Sequence, residues 1–292
     1  MSGGPSPTWP RVAVVTGASA GIGRAAVREL LTRGWRVIAT GRNSGRCAEA
    51  EAELRDVAQS GQLEFLQADL SLLGEARKLA ARIAALTPVV HVLANNAGGI
   101  TDGLRMTGEG LEENFAGNHV GPYVLTQALL PRLRVAAVGV PQGTVRIINT
   151  SSEGSERVDM LDLDDIQNLK DWNFGSAYCT AKLGNLLHVR ALAPVLAQDG
   201  IVAHAFHPGT VNTNFVNHGN NQAQETIRGL AMIPKEAGAD TLIWLATADE
   251  PGRSTGGYWF ERAPRRANPL ADDPAVIDGF RVATEQLIAA AG

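Results

Sequence analysis

Thr16-Gly17-Ala18-Ser19-Ala20-Gly21-Ile22-Gly23, directly behind the apolar run Val12-Ala13-Val14-Val15, is the stretch that decides the fold. The Val/Ala run reads as a buried strand, and the segment beyond Gly23, with Arg24, Ala25 and Ala26, reads as a helix. Glycines between a strand and a helix permit a sharp turn and let backbone N–H groups approach a pyrophosphate at the helix N-terminus. Gly17, Ser19, Ala20, Gly21, Ile22 and Gly23 are therefore the expected phosphate-cradling residues. A glycine triad alone is often only a turn; the strand before it and the helix after it make the nucleotide reading specific.

Outward from this turn, short Val/Ile-rich runs alternate with longer Ala/Leu/Arg/Glu segments, the pattern of repeated β-α units around a parallel sheet. Seven strands are expected at 12–16, 37–40, 63–67, 90–94, 145–149, 202–206 and 257–260, with helices at 25–33, 47–58, 75–86, 120–135, 181–196 and 236–247. Pro194 is expected to kink or end the helix that contains it. The fold class is α/β, a doubly wound Rossmann fold whose seven-stranded parallel sheet has helices on both faces. No composition break or internal repeat divides the chain, so residues 1–292 are expected to form one nucleotide-binding domain.

Two regions interrupt the alternation, 153–175 and 211–232, and both follow strands on the edge where such sheets bind ligands. The first carries Asp159, Asp162, Asp164, Asp165 and Asp171 and then Trp172 and Phe174; the acidic run reads as a solvated loop. Trp172, and Phe215 from the second region, are the candidate apolar walls of a substrate pocket.

With a net charge of -4 there is no basic surplus for nucleic acid or anionic lipid. Cys47 and Cys179 are too few for a disulfide framework, and no Cys/His cluster has metal-ligand spacing, so no metal is expected. The N-terminal Gly/Pro/Ser-rich segment has no basic region leading into an apolar stretch, and no run of about 18 apolar residues occurs. The expectation is a soluble, cytoplasmic protein without a membrane partner.

At the end of the second expected strand the chain reads Thr40-Gly41-Arg42-Asn43, without the acid that would hydrogen-bond an adenosine 2′-hydroxyl. Arg42 suits a 2′-phosphate, Arg46 lies one turn on, and Asn43 is a neighbouring candidate contact. NADP is therefore expected over NAD. Later, Tyr178 and Lys182 fall four residues apart, on one face of a helix, close enough for the ammonium to favour a phenolate. An unperturbed phenol titrates near pH 10, so work near neutrality needs a depression of about three units.

The turn, Asn95-Asn96-Ala97-Gly98, Asn118, Ser152, Tyr178-Cys179-Thr180-Ala181-Lys182 and His207-Pro208-Gly209-Thr210 occur in this order, and with them nearly the whole chain resembles the short-chain dehydrogenases/reductases (SDRs). Asn118-His119-Val120-Gly121-Pro122, Lys182-Leu183-Gly184-Asn185 and Gly256-Gly257-Tyr258-Trp259-Phe260 are similar to that family's retinol-dehydrogenase-like branch. The resemblance implies the strand order 3-2-1-4-5-6-7 and a catalytic tetrad on Asn118, Ser152, Tyr178 and Lys182. Ser152 is preferred to Ser151 because the second serine of such a pair is the family's catalytic one. Implied cofactor contacts are Asp69 and Leu70 at the adenine, Asn96, Ala97 and Gly98, Pro208, Gly209, Val211 and Thr213 around the nicotinamide, and Tyr178 and Lys182. Pairing through 120–135 and 181–196 into a homodimer or homotetramer is implied as well.

Together these readings point to hydride transfer between NADPH and a hydrophobic, bulky ketone or aldehyde, or the reverse, with Tyr178 moving the proton and Ser152 polarising the substrate oxygen. Two alternatives stay open at this stage: reduction of an activated C=C or C=N bond, and an NADP-binding regulator or scaffold without turnover.

Overall fold

The computed structural model describes residues 11–101, 103–211 and 232–292. Its centre is β1 (Val12–Val15), which pairs in parallel with β2 (Arg36–Gly41) on one side and β4 (Val92–Asn95) on the other. Beyond β2 lies β3 (Leu63–Gln67); beyond β4 lie β5 (Arg146–Thr150), β6 (Val202–Phe206) and β7 (Tyr258–Phe260), all parallel. An eighth strand, β8 (Ala263–Pro264), turns back antiparallel on β7, so the sheet order is β3-β2-β1-β4-β5-β6-β7-β8. The sequence expectation of seven strands is corrected by this two-residue edge, too short to leave a periodic signal; the α/β doubly wound class stands.

Why the strands read as continuous apolar runs is visible in β1. Val12 and Val14 enter one core cluster and Ala13 and Val15 the other, because successive side chains leave a strand on opposite faces and both faces are covered. α1 (Gly21–Thr32) and α2 (Ser44–Arg55) follow the first two strands, and α3 (Leu73–Leu86) follows the third. A short turn α4 (Glu113–Phe115) runs through a π-helical turn (Ala116–Val120) into α5 (Gly121–Ala137). α6 (Phe174–Leu196) and α7 (Lys235–Thr247) complete the crossovers.

α6 begins seven residues earlier than the expected 181, because Asn173 caps it, its side chain accepting from Ser176 N at 2.8 Å. That puts Tyr178 and Lys182 within one helix. Pro194 does not end it; the helix runs two residues further, to Leu196. A final helix, α8 (Pro274–Ala291), lies outside the expected set; Asp273 caps it, and its buried Phe280 and Thr284 pack against Phe115, His119 of the π-helical turn and α6. No helix among the described residues is long and apolar enough to cross a membrane.

The order reverses between β1 and β4, and at such a switch point the crossovers diverge to opposite faces and leave a crevice at the carboxyl ends of the strands.

Candidate active site

A cavity of about 440 Å³ opens at that crevice, lined among others by Gly17, Ser19, Ala20, Gly21, Ile22, Arg42, Asp69, Leu70, Asn96, Ala97, Gly98 and Asn118. Gly17 and Gly21 have φ of +68° and +54°, and a Cβ on Gly17 would lie 2.8 Å from Ala97 Cα. A Cβ on Gly23 would strike the Gly17 carbonyl. The turn therefore closes only as bare backbone at the head of α1, a surface that fits a pyrophosphate. Thr16, which the sequence reading passed over, fixes the facing loop: its hydroxyl accepts from Asn96 N at 3.0 Å and Ala97 N at 2.9 Å. Asn96 Nδ2 returns a bond to Thr16 O at 2.9 Å, whereas Asn95 reaches inward to Thr126 and Asn149 and braces the sheet.

At the far end, a Cβ on Gly41 would lie 2.7 Å from Cys47 Sγ and 2.9 Å from Ser19 Cβ, which leaves no room for an acidic side chain there. Arg42 is half-exposed and faces Glu113 at 3.5 Å; Arg105 reaches the same carboxylate at 3.1 Å. Nothing in the sequence signals this shared anion, because its two arginines come from different crossovers. Arg46 also lines the cavity. Asn43 is not among the lining residues: its side chain caps α2, accepting from Arg46 N at 3.0 Å. Asp69 accepts from Ser71 N and Ser71 Oγ at 3.0 and 2.8 Å, which shapes the turn after β3.

The remaining candidates come from four places in the chain. Asn118 sits in the π-helical turn, 2 % exposed, where the extra residue per turn frees its side chain from the regular face. Its Nδ2 donates to Gly99 O and Asn114 O, both at 2.8 Å, and its Oδ1 accepts from Gly99 N at 3.2 Å. Lys182, on α6, is 3 % exposed and donates to Thr150 O at 3.3 Å. Gly98, which lines the cavity, lies against both: a Cβ there would lie 2.5 Å from Asn118 Oδ1 and 3.0 Å from Lys182 Nζ. Ser152, at the end of the β5 segment, hydrogen-bonds Tyr178, and its Oγ also accepts from Gly154 N at 3.1 Å. Ser151 points the other way, donating to Lys182 O at 2.8 Å inside the core.

The electrostatics differ from the sequence expectation. Burial raises the Tyr178 phenol well above its ordinary value, with the Ser152 hydrogen bond pulling the other way. Lys182 Nζ lies 5.5 Å from the centre of the Tyr178 ring, and burial lowers its own pKa to about 8. The protein's own groups thus keep the phenol protonated, the acid form, and the lysine charged at neutral pH. Cys179, beside Tyr178, is a protonated thiol, raised by burial.

Behind β6, Gly209 has φ of +82° and Val211 bridges to Ile233. A Cβ on Gly238 of α7 would strike Val211 and lie 3.3 Å from Ile22 Cγ1, so this segment, with Pro208, returns to the glycine turn. His207 braces it: stacked on Phe260 at 5.0 Å and held neutral by burial at a pKa of about 4, it accepts from Glu153 N at 3.3 Å. Thr213 and Phe215 lie outside the described residues. Trp172 is half-buried, and its indole N–H donates to the buried Glu112 at 3.2 Å, which ties the 153–175 loop to the start of α4; it does not line the 440 Å³ cavity. The acidic run caps turns, Asp162 accepting from Asp164 N and Lys170 Nζ at 3.0 and 2.7 Å.

The profile of the short chain dehydrogenase family matches residues 11–224. The chain belongs to that family. It is 35 % identical to human retinol dehydrogenase 12 over 71 % of this chain and 64 % of that protein, so the match spans less than two thirds of that relative's length. Human polyprenol dehydrogenase is 30 % identical over 87 % of this chain and 77 % of the relative, and human retinol dehydrogenase 13 is 31 % identical over 91 % and 81 %. These relatives place the chain in the retinol-dehydrogenase-like branch of the SDRs. Among solved structures, an uncharacterised Mycobacterium paratuberculosis protein superposes with a TM-score of 0.73 at 27 % identity, covering 96 % of this chain and 93 % of that one. The Pseudomonas aeruginosa RhlG/NADP active-site complex superposes with a TM-score of 0.66 at 27 % identity, covering 85 % and 93 %.

Proposed function

We propose that the protein is an NADP(H)-dependent oxidoreductase that interconverts a hydrophobic, bulky ketone or aldehyde and its alcohol. The observation that carries this reading is the hydrogen bond of Ser152 to Tyr178 with Lys182 beside the phenol, together with the approach of Lys182 and Asn118 to Gly98, a residue that lines the glycine-turn cavity. Gly17 to Gly23, Asn96 to Gly98 and the Pro208 segment would hold a nicotinamide dinucleotide, which when bound would supply or accept the hydride. Tyr178 donates its phenolic proton to the carbonyl oxygen in reduction and takes the hydroxyl proton in oxidation. Ser152 donates to the same oxygen and stabilises the charge that develops there. Lys182 presents a buried cation beside the phenol and offsets the phenolate left behind, while Asn118 orders the loop over it. The test is to follow NADPH absorbance against ketones, aldehydes, imines and enones; turnover confined to the last two classes rejects the reading.

NADP is favoured by Arg42, by Arg46 one turn on, and by the closed space at Gly41. Arg42→Asp is expected to lower kcat/KM for NADPH by about ten-fold or more, the loss of a charge-assisted bond, and to shift preference toward NADH. Equal efficiency with both cofactors in the unmodified protein would sink the NADP assignment.

Relatives named for retinol and polyprenol, both apolar alcohols, support a hydrophobic substrate. In a homologous ketone series kcat/KM should climb with the size of the apolar group, and preference for acetone-sized members rejects the idea. Trp172→Ala separates two roles for that ring. A pocket wall changes the relative rates across the series; a loop anchor on Glu112 lowers stability and leaves the ratios alone.

A further inference from the structure

A chain of hydrogen bonds leads from the last helix to the ammonium of Lys182 through groups that none of the roles above uses. Thr284 Oγ1, fully buried on α8, lies 3.2 Å from His119 Nε2, and His119 Nδ1 lies 3.4 Å from Asn185 Oδ1. Asn185 Nδ2 donates to Thr150 O at 3.0 Å, the carbonyl that also receives Lys182 Nζ at 3.3 Å. His119, Asn185 and Lys182 are 1 %, 2 % and 3 % exposed, so water does not compete along the route.

The chemistry of the groups fixes the direction of each bond. Thr150 O only accepts, so the Asn185 amide turns its NH₂ to it and its oxygen to His119. That oxygen only accepts, so His119 carries its proton on Nδ1. Burial lowers the His119 pKa to about 4, which leaves the ring neutral and Nε2 bare, an acceptor for the Thr284 hydroxyl. Every donor then points from α8 toward Thr150 O, the arrangement in which successive bonds polarise one another.

The chain is also clamped. The His119 ring centre lies 5.2 Å from Phe115 and 5.1 Å from Phe280. A Cβ on Gly184 would come within 2.8 Å of Phe280 Cζ and 3.0 Å of His119 Nδ1, so α6 admits both only because that position is bare. A second tie, Tyr123 OH to Glu285 Oε1 at 2.8 Å, fixes α8 to α5.

We propose that Thr284, His119 and Asn185 are positioning residues for Lys182: they hold the Thr150 carbonyl where it receives the ammonium, and so make α8 part of the active-site frame. The inference rests on the reading of Lys182 as a catalytic residue. Thr284→Val keeps the shape and removes the donor. It should lower kcat about five-fold, the scale of one neutral hydrogen bond, with KM for NADPH and ketone unchanged. Thr284→Ser, which restores the hydroxyl, should recover most of that loss. Val276→Ala trims apolar packing of α8 two turns before Thr284, so thermal stability should fall while kcat holds. Histidine ring ¹⁵N spectra of the full chain should show His119 as the neutral Nδ1–H tautomer.

Unchanged kcat in Thr284→Val, an equal loss of kcat in Val276→Ala, or an Nε2–H tautomer would each overturn the proposal. Lys182→Ala in the same assay separates it from the reading beneath it. Full turnover there overturns the catalytic role of Lys182 and the positioning role with it. An inactive Lys182→Ala beside an unaffected Thr284→Val overturns the positioning role alone.

Discussion

Tyr178→Phe should lower kcat by about a thousand-fold, within the usual range for loss of a positioned general acid, while NADPH still binds with nearly its original affinity. The substitution removes one oxygen and keeps a ring whose packing α6 already fixes. What disappears is the transferable proton and the bond to Ser152. The cavity at the glycine turn is walled by backbone and by side chains of the first four β-α units, so the phenol contributes little to holding the adenosine and pyrophosphate half. Because burial keeps this phenol protonated, it is an acid in its resting form, and the reductive direction should suffer at least as much as the oxidative one. Fluorescence titration with NADPH beside steady-state rates gives both numbers. Turnover within ten-fold of the original would remove Tyr178 from the chemistry and revive the reading of a nucleotide-binding protein whose tyrosine only packs.

How far the chain discloses this in advance depends on the reach of each signal. Strand positions are local, since a strand buried on both faces must be an apolar run; 63–67 and 202–206 coincide with β3 and β6. The glycine turn is local too, because positive φ and close backbone approach demand glycine at Gly17 whatever lies elsewhere. The start of α6 is less legible: Gly175 and Ser176 are weak helix formers, so the Ala/Leu-rich part from 181 reads as the whole helix, and the Asn173 cap that decides the matter is one side chain. α8 carries a readable pattern in Asp273-Pro274 followed by Val276, Ile277, Phe280, Thr284 and Leu287, but nothing in a β-α alternation calls for a helix after the last strand. The π-helical turn that aims Asn118, the carboxylate of Glu113 between Arg42 and Arg105, and the Thr150 carbonyl beneath Lys182 are products of tertiary contact. Opposite charge four residues away suggests a depressed phenol; in the folded protein burial dominates and raises it.

Ser152→Ala and Ser151→Ala should part company, although the two hydroxyls are adjacent in the chain. A strand sends neighbouring side chains to opposite faces, and the structure shows the consequence at the end of β5. Ser151, 1 % exposed, donates to the Lys182 carbonyl at 2.8 Å, so its removal leaves a core carbonyl of α6 short of one donor. The expected cost is about 1 kcal/mol of stability, visible as a modest fall in melting temperature with kcat changed by less than about three-fold. Ser152 is half-buried and hydrogen-bonds Tyr178, so it can turn its hydroxyl to a carbonyl oxygen that the same phenol protonates. Loss of one such donor to a developing oxyanion costs about a hundred-fold in kcat. Little stability should go with it, because the group is not sealed in the core. The crossed measurement is decisive: melting temperature and kcat for both variants, where a larger loss of turnover in Ser151→Ala would place the polarising hydroxyl one residue earlier than the contact with Tyr178 indicates.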